Sequence, residues 1–415
     1  MFVSRIFQNL PEILRGVDLQ TALERAMNTE MLAKPLVGVA SAPDWRKAQN
    51  LLAGIGVTLN GSQPWDIRIH HPATLDRILS QGSLGLGESY MAGWWDCDQL
   101  DELMTRIVRG RLEEQVGRAG WLWAALKARL TNLQSPHRAW QVGQVHYDLG
   151  NDLYEAMLDP SMAYSCGYWA EAKTLAQAQE AKLDLICRKL QLKPGMQLLD
   201  IGCGWGSLML FAARHYRVQC VGLTVSKEQA KWGADRAQGL PVRFELADYR
   251  QFNLAGSQRF DRVASVGMFE HVGRKNYGVY FDMVRRSLRD DGLFLLHTIG
   301  KNRSGWGIDP WIEKYIFPNG MLPSVAEIAN SCEAEFVVED WHNFGADYDK
   351  TLMAWWARFE AAWPRLEAHY SEEFRRMWRY YLASCAGAFR ARDNQLWQVV
   401  LSPRGHAGGY RRPLR

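Results

Sequence analysis

The sequence predicts an α/β protein: a doubly wound, mostly parallel sheet with helices on both faces and a helical lid, joined to a smaller N-terminal α+β domain. Three observations carry this expectation. From about residue 146 onward, strand-like and helix-like segments alternate, the order that builds a parallel sheet. Residues 198–206, LLDIGCGWG, form an apolar run ending in Asp200, followed by Gly202, Gly204 and Gly206. A helix-compatible segment comes next, so this is the strand–loop–helix opening of such a sheet, where glycines tolerate φ > 0 and let a ligand reach the backbone. The chain has 415 residues, more than one ordinary domain, so two are expected.

Residues 1–112 form the first block, of which 1–35 carry no readable pattern. Residues 66–70 read as a short strand and 72–79 as a helix, ahead of SLGLGESYMAGWWD at 83–96. Residues 113–141 read as a connector. Its segment 120–130 has amphipathic spacing, with Trp121, Leu122, Ala125 and Leu126 near one face. Docking on the protein and contact with lipid both fit that segment. The α/β unit spans 142–402, and a basic tail covers 403–415. Within the unit, helices are expected at 176–190, 207–215, 227–238 and 277–288. Strands are expected at 197–201, 218–223, 242–246, 260–266 and 293–298. Ser226 and Gln229 have capping-box spacing at a helix start. Residues 320–344 and 351–392 read as further helices rich in Trp, Tyr and Phe, a lid over an apolar pocket. Ligands of such sheets sit at the carboxyl ends of the strands. Asp200, Thr224, Asp248, Glu270 and His297 all fall at or just beyond such ends.

Composition narrows the function. The chain is 47% hydrophobic and 23% charged, a globular balance. Its 18 tryptophans suit interfaces and apolar ligand pockets, because an aromatic body carries a polar N–H. A net charge of +4 is too small to argue for nucleic acid. The cysteines at 97, 166, 187, 203, 220, 332 and 385 form no CxxC pair, so no metal is expected. Their odd count and the lack of a signal peptide point to a reducing cytoplasm. No apolar run reaches the ~18 residues of a membrane span, so membrane contact is expected to be peripheral. The tail residues Arg404, Arg411, Arg412 and Arg415 fit a solvated terminus or contact with an anionic lipid surface.

The glycine loop excludes one common ligand. The dinucleotide pattern GxGxxG is not met, because the third glycine comes one residue early. The ribose-binding acid that usually follows is also missing, since the second strand ends in Thr224, Val225 and Ser226. The acid, Asp200, stands before the glycines, where it faces an ammonium or another positively polarised group. This arrangement resembles the S-adenosylmethionine loop of class I methyltransferases, which carry a Rossmann-like sheet.

Several further strings point the same way: HYDLGNDLYEAMLD (146–159), AYSCGYW (163–169), GLTVSKEQ (222–229), SVGMFEHVG (265–273), LLHTIG (295–300), DPWIEKYIFPNG (309–320), DWHNFGADYD (340–349) and CAGAFRARDNQLWQVV (385–400). Together they resemble the cyclopropane fatty acid synthases over nearly the whole length. SLGLGESYMAGWWD resembles the extra N-terminal domain of the phospholipid-modifying members, which the mycolic-acid members lack. The resemblance implies that the methyl carbon of S-adenosylmethionine is added across a cis double bond of an acyl chain. A carbocation forms, and a bound bicarbonate takes the proton as the ring closes. The matching bicarbonate residues are Cys166, Glu270, His297, Ile299 and Tyr348. Cys166 and Ile299 would offer backbone groups, His297 and Tyr348 would donate, and Glu270 would accept the bicarbonate hydroxyl. For S-adenosylmethionine, the resemblance implies that Leu198, Leu199, Asp200, Ile201, Gly202, Cys203, Gly204, Trp205 and Gly206 cradle the methionine part. Tyr164 and Ser165 would close over it. Thr224, Val225, Ser226, Lys227, Glu228 and Gln229 would lie along the ribose, with Gln229 replacing the missing acid. Asp248, Tyr249 and Arg250 would lie near the adenine, with Tyr249 placed to stack. Cys385 matches a reactive cysteine of the family and is expected to border the site rather than act as a nucleophile. The implied partners are unsaturated phospholipids of the bilayer, reached by peripheral contact at the inner membrane face, and a second copy of the chain through the N-terminal domain.

Each residue also has a plainer reading. Glu270 and His271 fit a solvated pair on a loop. His297 fits a satisfied core histidine, and Cys166 and Cys385 fit small buried hydrophobes. Trp355, Trp356, Phe359 and Trp363 have helical spacing, which by default marks a core face; the family resemblance makes them a wall of the acyl pocket. Three rival functions compete: a methyl-branching enzyme on the same fold, a nicotinamide-dependent reductase and a non-catalytic lipid-binding protein. Retention of all five bicarbonate matches disfavours the first. The glycine spacing disfavours the second, and a polar set around the methyl site disfavours the third.

Overall fold

The structure is a computed structural model and describes residues 42–112, 150–252, 259–305 and 307–414. Residues 1–35, the amphipathic segment at 120–130 and the start of the string at 146 lie outside the described residues.

Short elements make up the N-terminal block: α1 (Ala42–Ala53), β1 (Arg68–Ile69), α2 (Thr74–Gln81), α3 (Ser83–Met91), β2 (Trp95–Asp96) and α4 (Leu100–Arg109). β1 and β2 pair antiparallel. Asp66 pins the loop before β1 by accepting from the Thr58 and Gln63 amides at 2.7 and 2.8 Å.

The main sheet follows. Its elements in chain order are α5 (Asn151–Met157), α6 (Leu175–Lys189), β3 (Gln197–Ile201), α7 (Ser207–Tyr216), β4 (Gln219–Thr224), α8 (Lys227–Arg236), β5 (Val242–Leu246), β6 (Phe260–Val266), α9 (Tyr277–Ser287) and β7 (Leu288–Lys301). Then come α10 (Pro310–Tyr315), α11 (Val325–Cys332), β8 (Val337–Asn343), α12 (Ala346–Leu366), α13 (Glu372–Arg390) and β9 (Asn394–Ser402). The seven strands lie in the order β5-β4-β3-β6-β7-β9-β8. β3 to β7 run parallel, and β9 runs antiparallel to both β7 and β8.

Strand alternation explains the two helix layers. Leu198 points into a core with Leu183 and Ile186 of α6 and Leu208 and Met209 of α7. Leu199 and Ile201 point the other way, into a core with Tyr280, Phe281 and Val284 of α9. A strand buried on both faces needs apolar residues at both phases of its period. Side-chain caps set the helix starts. Ser226 accepts from the Gln229 amide at 3.2 Å. Gln229 does not complete the expected box, because its Oε1 accepts from Thr224 Oγ1 at 3.1 Å.

One expectation is corrected. Residues 337–343 are the edge strand β8, not helix. Its alternation is inverted: Val337 and Val338 are exposed, while Asp340 and His342 are buried beside Lys189. Described residues on both sides of the boundary expected near residue 112 pack together, within a compact unit that runs from Ala40 onward. Trp95, Leu103 and Met104 share a core with Trp311, Tyr380 and Ala386. Arg376 donates to the Trp95 carbonyl at 2.9 Å and Arg390 to Asp101 at 2.7 Å. Glu88 accepts from Lys314 and Tyr315 at 2.6 and 2.9 Å. The described part of the tail is docked rather than loose. Tyr410 donates to the Lys189 carbonyl at 2.8 Å, and Arg188 to the Leu414 carbonyl at 2.7 Å.

Candidate active site

Asp200 stands at the carboxyl half of β3, and the turn behind it is held by its neighbour strand. The Gly202 and Cys203 amides both donate to the Leu223 carbonyl at 2.9 Å. Asp200 Oδ1 is buried without a hydrogen-bond partner. Burial raises its pKa to about 7, and Lys182 pulls the other way. Gly202, Gly204 and Gly206 all have positive φ, which non-glycine residues rarely adopt.

Sequence reasoning missed Lys182. It is fully buried on α6 and donates to Ser165 Oγ at 3.0 Å. Burial lowers its pKa to about 8, against the pull of Asp159, Cys166 and Asp200. A signal existed: Ala178, Lys182 and Ile186 repeat every four residues on the buried stripe of α6. Gln179 completes this support, donating to the Ser165 carbonyl at 2.8 Å.

Glu270 sits in a short 3₁₀ turn after β6, at residues 269–271. Its Oε1 accepts the Ile299 amide at 2.7 Å, and its Oε2 is buried without a partner. Burial raises its pKa to about 7, and the Ile299 amide pulls it back. The Ile299 N–H is thereby engaged by Glu270 rather than offered to a ligand. His297 pairs with Val266 across β6 and β7. Its Nδ1 lies 3.2 Å from the Gln398 amide nitrogen, and its Nε2 is buried without a partner. Burial holds its pKa well below the usual value, reinforced by Lys182, Lys189 and His342. The ring is therefore neutral. With the Gln398 amide assigned as donor to Nδ1, the imidazole proton resides on Nε2, which makes His297 a donor.

A cavity of about 1930 Å³ joins Asp200, Lys182 and Glu270, larger than common ligand sites. Asp200, Gly202, Cys203, Gly204, Trp205 and Gln229 line it, as do Tyr164, Ser165 and Lys182. Glu270, Ile299, Tyr348 and Cys385 line it as well. So does an apolar set from the N-terminal block, including Leu51, Leu59, Ile67, Leu79 and Ile107. Tyr164 and Tyr381 bring their hydroxyls within 2.9 Å across it. Burial pushes the Cys385 thiol up to about 12, so it is no thiolate at neutral pH.

Other expected residues lie outside the lining of this cavity. Leu198, Leu199 and Ile201 turn their side chains into the cores. Gly206 is tucked against Phe244. Thr224 and Ser226 are buried behind Gln229, Val225 is half-buried, and Lys227 and Glu228 are exposed on the first turn of α8. Asp248 and Arg250 pair with each other at 2.6 Å. Tyr249 packs edge-on against Tyr280 at 5.4 Å, so none of these three reaches the cavity lining. Cys166 and His297 are fully buried and also stand outside the lining. Trp355, Phe359 and Trp363 are buried core residues and Trp356 packs against them, so these rings do not wall the cavity. Among the described residues, no cluster of His, Cys, Asp and Glu is grouped to hold a metal.

The buried acid at the end of the first central strand, the positive-φ glycines and the strand order define a class I S-adenosylmethionine-dependent methyltransferase. The family model described as mycolic acid cyclopropane synthetase matches residues 134–399, and the chain belongs to that family. The N-terminal block lies outside that match. The chain is 56% identical over 382 residues to the cyclopropane-fatty-acyl-phospholipid synthase of Escherichia coli strain K12, covering 89% of this chain and 97% of that one. The solved cyclopropane synthase MmaA2 from Mycobacterium tuberculosis matches with a TM-score of 0.60 and 34% identity, covering 65% of this chain and 99% of that one. The mycolic acid cyclopropane synthase CmaA1, solved with SAH and CTAB, matches with a TM-score of 0.59 and 36% identity, covering 64% of this chain and 98% of that one.

Proposed function

We propose that this enzyme adds the methyl carbon of S-adenosylmethionine to the cis double bond of unsaturated acyl chains in membrane phospholipids, closing a cyclopropane ring through a carbocation with bicarbonate as base. The observation that carries the reading is the composition of the cavity. It joins buried, unpartnered carboxylate oxygens to an apolar lining suited to an acyl chain. The substrate class follows the name of the Escherichia coli relative.

The residues fit both groups. The unpartnered Asp200 Oδ1 suits the ammonium of S-adenosylmethionine, and the open space at Gly204 leaves room for its body. Glu270 Oε2 is a buried acceptor of the kind a bicarbonate needs, and Tyr348 shares the cavity lining with it as a donor; the unpartnered His297 Nε2, buried outside that lining, would be a second donor to an anion seated at the wall. When bound, S-adenosylmethionine supplies an electrophilic methyl and bicarbonate supplies the base. The chain's own part is to orient and to keep water out. An alkene is a weak nucleophile, so holding it against the methyl in a dry cavity lowers the barrier. Glu270, fixed by the Ile299 amide, would orient the base, and the neutral His297 would donate without protonating it.

On this reading the protein works as a peripheral homodimer on the cytoplasmic face of the membrane, with its N-terminal block toward the lipid. No helix among the described residues is long and apolar enough to cross a membrane. The test incubates the enzyme with S-adenosylmethionine and unsaturated phospholipid vesicles. Acyl chains should gain one CH₂ and lose the alkene; a methylated product that keeps an alkene would overturn the reading. Glu270→Ala should still bind S-adenosylmethionine yet lose about 100-fold or more in turnover, the scale of a general base.

A further inference from the structure

We propose that the rim of the cavity holds a phosphodiester site, which grips the headgroup phosphate of the lipid whose acyl chain enters. This rests on the phospholipid reading above and adds the residues and the ligand chemistry. Arg109, Arg111, Arg303 and Arg392 are all exposed and all line the cavity. They come from three separate segments that contacts draw to one edge. Arg109 Nη2 donates to the Arg390 carbonyl at 3.1 Å. Asn302 Nδ2 donates to the carbonyls of Arg392 and Asp393 at 2.8 and 3.2 Å. Lys301 Nζ donates to the Gly305 carbonyl at 3.0 Å and steadies the same loop.

The pairing of these side chains is the informative point. Arg390, just inside the edge, is held by Asp349 and Asp101 at 2.9 and 2.7 Å. None of the four rim arginines has a carboxylate partner among the described residues. Asp393, Asp309 and Glu313 line the cavity near these segments, against the four arginines and Lys301, so positive charge prevails there. Guanidinium forks match phosphate oxygens and hold them in fixed geometry. Behind them lies the apolar lining contributed by Leu51, Leu79 and Ile107. An amphiphile with a phosphodiester at one end and an acyl chain at the other fits both halves. A phosphate-free ester would leave the arginines without a ligand.

The test uses the full chain and neutral-detergent mixed micelles. They carry either unsaturated phosphatidylethanolamine, whose net charge is zero, or the matching diacylglycerol, which lacks phosphate. The Arg111→Gln/Arg303→Gln double variant should lower the phospholipid-to-diacylglycerol ratio of kcat/KM by about tenfold, the scale of one charge-assisted hydrogen bond. The loss should appear mainly in KM and shrink as salt is added, because the rim is exposed. Arg303→Lys, compared with Arg303→Gln, should keep part of the ratio. Arg286→Gln, on α9 and outside the lining, should keep all of it. A wild-type ratio in the double variant would overturn the proposal. So would inorganic phosphate competing as strongly as glycerophosphoethanolamine, which would assign the rim to free phosphate. Absence of cyclopropane product from wild-type enzyme on either lipid is a different result and would overturn the function itself.

Discussion

A Cβ added at Gly204 meets no atom within 4 Å, whereas one at Gly206 comes 2.4 Å from Phe244 Cζ and one at Gly202 comes 2.5 Å from Met268 Cγ. One loop therefore holds glycines of two kinds: Gly204 keeps space for a ligand, and the other two keep space for packing. Gly204→Ala should fold, at a cost of about 1 kcal/mol for its positive φ, and lose at least about tenfold in S-adenosylmethionine affinity. Gly206→Ala should lose stability before affinity. Calorimetry and thermal denaturation separate the two, and unchanged affinity in folded Gly204→Ala would remove that residue from the cradle. Glu270 gives a second residue-scale prediction. Its folded pKa is raised to about 7, so the folded state holds the proton that the unfolded chain releases near its ordinary value. Its stabilising contribution is complete at low pH and is lost as pH rises to about 7. His297 works in the opposite direction at the acid end, so the clean measurement is a difference. Glu270→Gln should gain stability relative to wild type between pH 5 and 8, by at most about 3 kcal/mol. A pH-independent difference would show that the carboxyl is not desolvated. Asp200 and Glu270 were legible in the sequence because each follows an apolar strand. Lys182 was not, because a lysine inside a helix reads as solvated unless its stripe is followed.

The helices α4 and α13 meet where Gly387 removes a side chain. A Cβ there would stand 2.7 Å from Met104 Cβ and 2.8 Å from the Thr105 amide nitrogen. Backbone cannot yield as a flexible side chain does. Gly387→Ala should therefore cost about 1–3 kcal/mol by overpacking, although helix propensity alone would gain up to about 1 kcal/mol. Chemical denaturation decides the sign, and a stabilised variant would mean the two helices are not in close contact. The elements that sequence predicted well are those whose burial matches their polarity. β3, β4 and β6 are apolar runs between turn residues, and the expected strands agree with them. β8 breaks that rule because its buried positions are Asp340 and His342, answered by Lys189 from α6. Only a tertiary partner makes those residues interior, so no local pattern marks the strand. The site follows the same division. Its loop acid and glycines are local features, while the Gln398 contact that sets the His297 tautomer crosses from β9 to β7 and joins residues far apart in sequence.

At the scale of the whole molecule, the N-terminal block shares one core with α12 and α13. A block separable at about residue 112 would let a chain starting near Arg111 keep its cofactor site. The packing argues otherwise. Removing that block would uncover Trp311 and Tyr380, which are almost fully buried. It would also strip Arg376 of its Trp95 and Asp96 partners and Arg390 of Asp101. Large buried aromatics contribute about 3–5 kcal/mol each when truncated in a core, against a typical total stability of about 5–15 kcal/mol. Two such losses approach the whole margin. The truncated chain should therefore be soluble only in part, bind an apolar dye, and bind S-adenosylmethionine weakly or not at all. In the full chain, near-ultraviolet and far-ultraviolet signals should fall in one transition, because neither part has a complete core alone. A well-folded truncated protein with full cofactor affinity, or two separated transitions in the full chain, would show that the shared core adds little. The same coupling bears on function. The block supplies apolar lining to the cavity that Asp200 and Glu270 also line. A substitution inside the block that loosens its packing, such as Leu103→Ala, should therefore reduce turnover on vesicles together with stability. Measuring both across a short series of such variants tests whether the block acts as part of the active site or only as an attachment to the membrane. A series that loses vesicle association while turnover on detergent-solubilised lipid holds would favour attachment alone.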